Sequence, residues 1–485
     1  MNLVDFVHVS ARSHARRPAI TDVRSGHHLD YAGLEREVER VRAFLAGEGV
    51  KAGHRIGLLA PNATAYLPAA FGLLATGACL VPIAANLTPS EIARITSEVE
   101  VNGCFAAPGS GGGRALGGGE CDGFTFEWLT RDVEGPEALH RLNAAFIRFT
   151  SGTTADRKGV VLSHEATTAR VEAADRVLRF TGDDRVLWVL PLAYHFAVTI
   201  VAYVRAGAHV LLCPDTFPAT VVDSIRRLRA TVLYASPLHF ERMSNLPSTG
   251  PLSDVRLALS TSAPIAPAVM DRFEATYGIP VGQAYGIIEA GLPAINTGAV
   301  GLPARSVGRV VPGYEIAVLS DKGESLPAGT SGEIGVRGDG LFSAYYTPWR
   351  LRQDIARDGW FLTGDIGRIE NDGAVYLEGR KKAVIFVAGL KFFPEEVEEC
   401  INQFPGVTES RVYGAPHSRL GQVPLAEVVF ATPTPDLEGL KAHCARALSP
   451  YKVPTTFTVV AATAKTPGGK ILRRPGESAV ATERA

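Results

Sequence analysis

The sequence predicts an α/β protein with more than one domain, and three observations carry this. The chain has 485 residues, more than one hydrophobic core serves. Short apolar runs alternate with helical patterns from Tyr31 to Glu289, the signature of βα units on a largely parallel sheet. The texture then changes twice. Val307 to Val336 reads as short strands with Pro/Gly turns, and the last hundred or so residues read as a compact α+β domain.

Taken in order, Tyr31 to Leu45 places Leu34, Val38, Val41, Phe44 and Leu45 on one helical face. A strand from Arg55 to Leu59, a turn at Asn62, a buried helix and a strand from Cys79 to Ile83 follow. Pro89-Ser90-Glu91 has the form of a helix start. Tyr66 to Ala85 and Val186 to Val204 carry no charge and are near the length of a membrane span. Pro68, Gly72, Gly77 and Pro82 break the first, and Pro191 and His195 the second, so both read as pieces of a buried α/β core. The glycine-rich stretch Gly109 to Gly119 reads as a surface loop, with no strong strand leading in and no helix pattern leading out.

The strand Ala144 to Phe149 runs into Thr150-Ser151-Gly152-Thr153-Thr154-Ala155-Asp156-Arg157-Lys158, and a second apolar run, Val160 to Leu162, leaves it. Hydroxyls, backbone N–H groups and a mobile cation gathered in one loop suit a polyphosphate. The loop is not a Walker A sequence, which needs Gly-Lys-Ser/Thr at a helix start. Alone, it equally suits an ordinary Ser/Thr/Gly turn. Past the β-rich segment, Gly379-Arg380-Lys381-Lys382 is a short basic patch, a strand covers Val384 to Val387, and a helix with an acidic first turn starts at Pro394.

Composition narrows the function. The chain is 46% hydrophobic and 20% charged, as a soluble globular protein is, with a net charge of −1 and no long basic run. Nucleic acid and anionic membrane are thereby disfavoured as partners. Six scattered cysteines without CxxC or metal spacing fit a reduced, cytoplasmic setting. The N-terminus lacks a basic-then-apolar signal pattern.

Four loops then fall in one order: Thr150 to Gly159; Tyr285-Gly286-Ile287-Ile288-Glu289; Phe361-Leu362-Thr363-Gly364-Asp365 with Gly379-Arg380; and Lys465-Thr466-Pro467-Gly468-Gly469-Lys470. Together with Val307-Gly308-Arg309, Gly332 to Gly338 and Tyr451-Lys452-Val453-Pro454, they resemble the adenylate-forming superfamily over about Tyr31 to Arg474. That superfamily holds acyl- and aryl-CoA synthetases, adenylation domains and luciferases. The resemblance implies a large N-terminal AMP-binding domain of stacked βα sheets with a small β-subdomain (1–379), a hinge (380–382), and a small mobile α+β C-terminal domain (383–485). The terminal stretch Pro475 to Ala485 by itself reads as a disordered tail.

It also implies the chemistry. A carboxylate attacks the α-phosphate of ATP, pyrophosphate leaves, and the acyl adenylate passes its acyl group to a thiol. Negative charge gathers on phosphate oxygens, so donors and cations are needed there. By the resemblance, Thr150, Ser151, Gly152, Thr153, Thr154 and Lys158 surround the β- and γ-phosphates. Ser262, Ala263, Pro264, Tyr285 and Gly286 form the adenine side, with Tyr285 on the base. Glu289 holds Mg²⁺, Asp365 takes the ribose hydroxyls beside Arg380, and Lys470 bridges carboxylate and α-phosphate. Tyr194, His195, Ala284 and Ile288 line the acyl pocket. Lys382 is the hinge for domain alternation, and Gly389 and Lys391 line the tunnel for CoA or a phosphopantetheine thiol. The partners implied are a small carboxylic acid, ATP, CoA and an acyl carrier protein as a further acceptor, in a monomer or homodimer.

The chain departs from the family pattern at Ala155, Arg157, Ile288, Gly468 and Ala284. Ile288 stands where a threonine donor is usual, next to the metal carboxylate. Ala284 narrows the acid pocket, and Tyr194, His195 and Phe196 give it an aromatic mouth, which favours an aryl or short acyl acid. The leading reading is an acid–thiol ligase using CoA. The same adenylation with a carrier-protein, amine or other acceptor, and a non-catalytic nucleotide- or acyl-binding homologue, remain the alternatives.

Overall fold

The alternating runs of the first three hundred residues form two nine-stranded sheets among the described residues. The computed structural model describes residues 1–109, 119–130, 135–149, 158–215, 217–299, 301–387, 390–417, 419–465 and 471. One sheet runs, edge to edge, Arg309–Val310, Gly291–Asn296, Val281–Ile287, Leu257–Ser260, Val232–Ala235, Arg185–Trp188, His209–Leu212, Pro18–Asp22 and His28–Asp30. Its six strands from Val281–Ile287 to Pro18–Asp22 are mutually parallel. The second runs Arg350–Leu351, Ala344–Tyr345, Gly159–Ser163, Ala144–Phe149, Cys79–Ala84, Arg55–Ala60, Gly103–Ala106, Phe124–Trp128 and Glu120–Cys121.

Local sequence explains the elements. The helix Tyr31–Gly47 starts because the Asp30 carboxylate accepts from Gly33 N at 2.6 Å. Leu34, Val38, Val41 and Leu45 are its buried face. It packs on Tyr66–Ala75, where a Cβ added to Gly72 would sit 2.6 Å from Val41, so glycine permits the close approach. Pro89–Glu98 opens with a full capping box from Thr88 and Glu91. The two charge-free runs become helix-plus-strand pieces: Tyr66–Ala75 with Cys79–Ala84, and Arg185–Trp188 followed by short helices. No helix among the described residues is long and apolar enough to cross a membrane.

The chain divides into two compact units, Met1–Ile316 with Val336–Phe361, and Ala317–Gly335 with Leu362–Ala485. Two smaller sheets complete the fold. One holds Tyr314–Leu319, Gly332–Gly338, Phe361–Ile369 and Val375–Arg380; its first two strands fall at the expected β-rich segment, and the other two come from beyond it. The other has five strands, with Gly421–Phe430 between Ile385–Val387 and Val407–His417 and also pairing Thr456–Val459. The helices Pro394–Asn402 and Leu437–Ala447 share its core through Val397, Ile401, Leu440 and Cys444. The architecture is α/β, with a large N-terminal sheet domain and a small C-terminal domain. Most of the glycine-rich stretch (110–118) and the tail from 475 lie outside the described residues.

Candidate active site

Ala144–Phe149 and Gly159–Ser163 are antiparallel neighbours in register Phe149↔Gly159 and Arg148↔Val160. The two strands expected on either side of the phosphate loop are therefore present. Thr150, Ser151, Gly152, Thr153 and Thr154 lie outside the described residues, as do Ala155 and Arg157. Lys158 stands exposed at the loop's exit, its Nζ 4.4 Å from the centroid of the Tyr345 ring. Ala344–Tyr345 pairs with the same strand, Tyr345 opposite Val160.

The Tyr345 hydroxyl donates to Glu289 Oε1 at 3.0 Å. Burial and then the Glu289 charge push this phenol well above its ordinary pKa, so it remains a donor. Glu289 lies in the turn between Val281–Ile287 and Gly291–Asn296, and that turn is clamped. Arg170, 2% exposed on the helix His164–Leu178, donates to Ile288 O at 3.0 Å, Glu289 O at 3.3 Å and Gly340 O at 2.6 and 3.0 Å. Phe342 N also donates to Glu289 O at 2.7 Å. The Ile288 side chain is half-buried, and only its carbonyl takes part in the clamp.

On the next strands, Leu257–Ser260 and Val281–Ile287 are parallel partners, with Ser260 opposite Gln283. Ser262 follows with φ of 75° and is exposed with Ala263 and Pro264. A non-glycine residue held there marks a loop that the surroundings over-determine. Tyr285 and Ala284 are 5% and 7% exposed. Gly286 is exposed, and a Cβ there would sit 2.9 Å from Gly291 O, so the turn backbone closes only on glycine.

The expected acyl-pocket residues Tyr194 and His195 sit on the helix Leu192–His195, which continues into a π-helical turn, Phe196–Ile200. Such turns concentrate at functional sites. Asn62 fixes this segment, donating to Leu190 O at 2.9 Å and accepting from Leu192 N at 2.8 Å. The His195 ring lies edge-on to Trp188 at 5.7 Å and to Tyr234 at 6.3 Å, and those two rings stack at 5.8 Å. Burial first, then Arg148, push His195 down to about 3, so it is a neutral imidazole. Arg148 itself donates to Tyr194 O.

In the second unit, Asp365 and Arg380 face each other across Phe361–Ile369 and Val375–Arg380, with Arg380 Nε 2.7 Å from Asp365 Oδ1. Thr363 braces the turn: its hydroxyl donates to Ile334 O and accepts from Asp365 N. Asp365 is 6% exposed. Lys381 pairs with Asp321 at 2.9 Å and Glu333 at 3.0 Å, so it is ion-paired as Arg380 is. The side chains of Lys382 and Lys391, with Gly389 and Lys470, lie outside the described residues.

The structure thus brings Lys158 and Glu289 together through Tyr345, and pairs Asp365 with Arg380. Sequence reading missed Tyr345, Arg170, Arg148, Trp188 and Tyr234. A signal existed for Arg148 and Arg170, each a cation within an otherwise apolar or small-residue stretch; the tyrosines and Trp188 carried none. Mg²⁺ suits this donor set. The half-buried Glu289 carboxylate is a hard oxygen donor of the kind that such an ion takes beside waters and phosphate oxygens.

The AMP-binding enzyme family matches residues 7–346, and the AMP-binding enzyme C-terminal domain matches residues 396–470. The long-chain-fatty-acid–CoA ligase FadD13 of Mycobacterium tuberculosis is 29% identical over 96% of this chain and 95% of its own. The sulfoacetate–CoA ligase of Cupriavidus necator is 29% identical over 97% and 96%. The crystal structure of ATP-bound MatB from Rhodopseudomonas palustris superposes with a TM-score of 0.82 at 25% identity, covering 97% of each chain.

Proposed function

Because the chain belongs to the AMP-binding enzyme family, whose full-length relatives include acid–CoA ligases, we propose that it activates an aryl or short-to-medium acyl acid with ATP and transfers it to CoA. In the first step a carboxylate oxygen attacks the α-phosphorus, the P–O bond to pyrophosphate breaks, and an acyl adenylate forms. In the second a thiolate attacks the acyl carbon, AMP leaves with the electron pair, and a thioester results.

The observation that carries the reading is the Glu289 carboxylate, fixed by Tyr345 beside Lys158 at the exit of the hydroxyl-rich loop. Glu289 would hold Mg²⁺, which supplies charge neutralisation at the phosphate oxygens. Lys158 and the Thr150–Thr154 loop bind the β- and γ-phosphates, and Lys470 bridges the reacting carboxylate and α-phosphate. Ser262 to Pro264, Tyr285 and Gly286 take the adenine, while Asp365, aligned by Arg380, accepts the ribose hydroxyls. Lys382 is the hinge between a domain of residues 1–379 and one of residues 383–485, and Gly389 and Lys391 line the thiol's path. Ala284 and the rings around His195 support a short or flat acid. The six free thiols fit a cytoplasmic setting.

The test is pyrophosphate release across a panel of acids, with and without CoA, for the wild type and Lys470→Ala. Acid-dependent release, a CoA thioester product and loss of release in Lys470→Ala are expected. Release with no CoA thioester for any acid would transfer the second step to another acceptor, such as a carrier-protein thiol or an amine. No turnover with any acid would leave a nucleotide- or acyl-binding protein.

A further inference from the structure

Arg148 is a charged group that the adenylation machinery leaves unused. It sits between Ile147 and Phe149 on a strand whose neighbours are apolar, and it is 6% exposed. A guanidinium carries five N–H donors. The protein acceptor that Arg148 reaches is the Tyr194 carbonyl, which bears no charge. Among the described residues no carboxylate is ion-paired with it. Glu289 attracts it electrostatically, but that carboxylate is engaged by Tyr345, and Arg170 adds a repelling like charge. Burying a cation in this way is costly unless an anion completes the site.

The surroundings are rich in donors. Trp188 Nε1 and the Tyr66 hydroxyl are buried with no hydrogen-bond partner among the described residues. His195, an electrostatic neighbour of Arg148, contributes a neutral imidazole with a ring N–H. Trp188 and Tyr234 stack beside it, 7° from parallel, and supply a flat apolar wall. A cation and spare donors set against that wall are the groups that a compact organic anion would pair with.

We propose that Arg148 is a specificity-determining residue of the acid pocket, pairing with a second anionic group, carboxylate or sulfonate, carried by the substrate away from its reacting carboxylate. This rests on the adenylation reading and names its substrate class. Pairing with the reacting carboxylate itself is disfavoured, because neutralising the nucleophile stabilises the ground state more than the transition state. A distal anion keeps its charge throughout the reaction, so its contact with Arg148 is uniform binding and governs KM rather than kcat.

The experiment compares acids matched in skeleton: butanoate with succinate, and benzoate with benzene-1,3-dicarboxylate. Each is measured by pyrophosphate release and, independently of turnover, by calorimetric titration, in the wild type, Arg148→Leu and Arg148→Lys. For at least one pair the wild type prefers the diacid. Arg148→Leu lowers kcat/KM for that diacid about 100-fold, through KM, and leaves its monoacid within about threefold. Arg148→Lys recovers part of the loss. Should Arg148→Leu fail to fold, Arg148→Gln, which can still donate to the Tyr194 carbonyl, takes its place. Equal losses for both members of a pair, no loss, or a wild type that binds neither diacid better than its monoacid would overturn the proposal. If no acid is turned over, the adenylation reading fails. Diacid binding that disappears in Arg148→Leu would then still support the anion site, and its absence from the wild type would overturn it.

Discussion

The Tyr345 hydroxyl and the Glu289 carboxylate meet at 3.0 Å, joining the two large sheets of the first unit. Tyr345 comes from the short strand beside Gly159–Ser163, and Glu289 from the turn leaving Val281–Ile287. The bond orients the carboxylate proposed to hold Mg²⁺. Tyr345→Phe is expected to raise the Mg²⁺ concentration for half-maximal pyrophosphate release by about 10- to 100-fold, the usual effect of removing a partner that orients a ligand. The loss in stability should stay near 1 kcal/mol. A magnesium titration of both proteins checks this; an unchanged curve would detach Glu289 from the metal.

Ile288 is the departure nearest that carboxylate, and its side chain offers no donor. Its carbonyl is already held by Arg170 at 3.0 Å, so a side-chain change leaves the clamp in place. Ile288→Thr is expected to keep or raise the rate of pyrophosphate release, because a donor near the transferring phosphate stabilises its charge. A sharp loss instead would mean that the isoleucine shapes the acid pocket.

Asp365 is assigned both ribose hydroxyls. Asp365→Ala should therefore raise KM for ATP by at least about tenfold, the loss of charge-assisted hydrogen bonds. It should change little with 2′,3′-dideoxy-ATP, which lacks the hydroxyls. Equal effects on the two nucleotides would assign Asp365 only to its ion pair with Arg380, at 2.7 Å.

Four histidines predict the acid limit of stability. Burial, the largest cause in each, pushes His164, His209 and His239 to about 4 and His195 to about 3, below the ordinary 6.5. The unfolded chain takes up these protons first, so their contribution is full above about pH 6.5 and is lost as pH falls toward 4. The slope approaches about 1.4 kcal/mol per pH unit for each imidazole. Urea midpoints at pH 7.5, 6 and 5 should fall in that order. His164 Nδ1 accepts from Leu3 N at 3.1 Å. His164→Asn, whose amide oxygen can accept the same bond, should flatten the slope by one proton. A midpoint rising on acidification would contradict the assignment.

Periodicity made the elements legible where one face is buried, as in Tyr31–Gly47. Of the expected breakers in the first charge-free run, Gly77 falls between helix and strand with φ of 79°, while Pro68 and Gly72 lie inside the helix Tyr66–Ala75 and Pro82 inside the strand Cys79–Ala84. The order of the loops identified the family. Tyr345, Arg170 and Trp188 escaped because their roles arise from partners far along the chain: Tyr345 meets a residue 56 positions away, and Arg170 reaches carbonyls 118 to 170 positions away. Arg148 stood out as a lone cation in an apolar strand, but only the structure shows it buried with no carboxylate among the described residues ion-paired with it. The basic run at 380–382 read as a patch, since nothing local reveals Asp365 opposite Arg380 or Asp321 and Glu333 opposite Lys381.

The most direct test of acyl-adenylate chemistry follows the substrate oxygen. The acid giving the fastest pyrophosphate release is labelled with ¹⁸O in its carboxylate and turned over with ATP and CoA, and the nucleotide is analysed by mass spectrometry. Attack of the carboxylate on the α-phosphorus predicts AMP carrying one ¹⁸O per thioester formed. Unlabelled AMP, or ADP and phosphate in place of AMP and pyrophosphate, would contradict it.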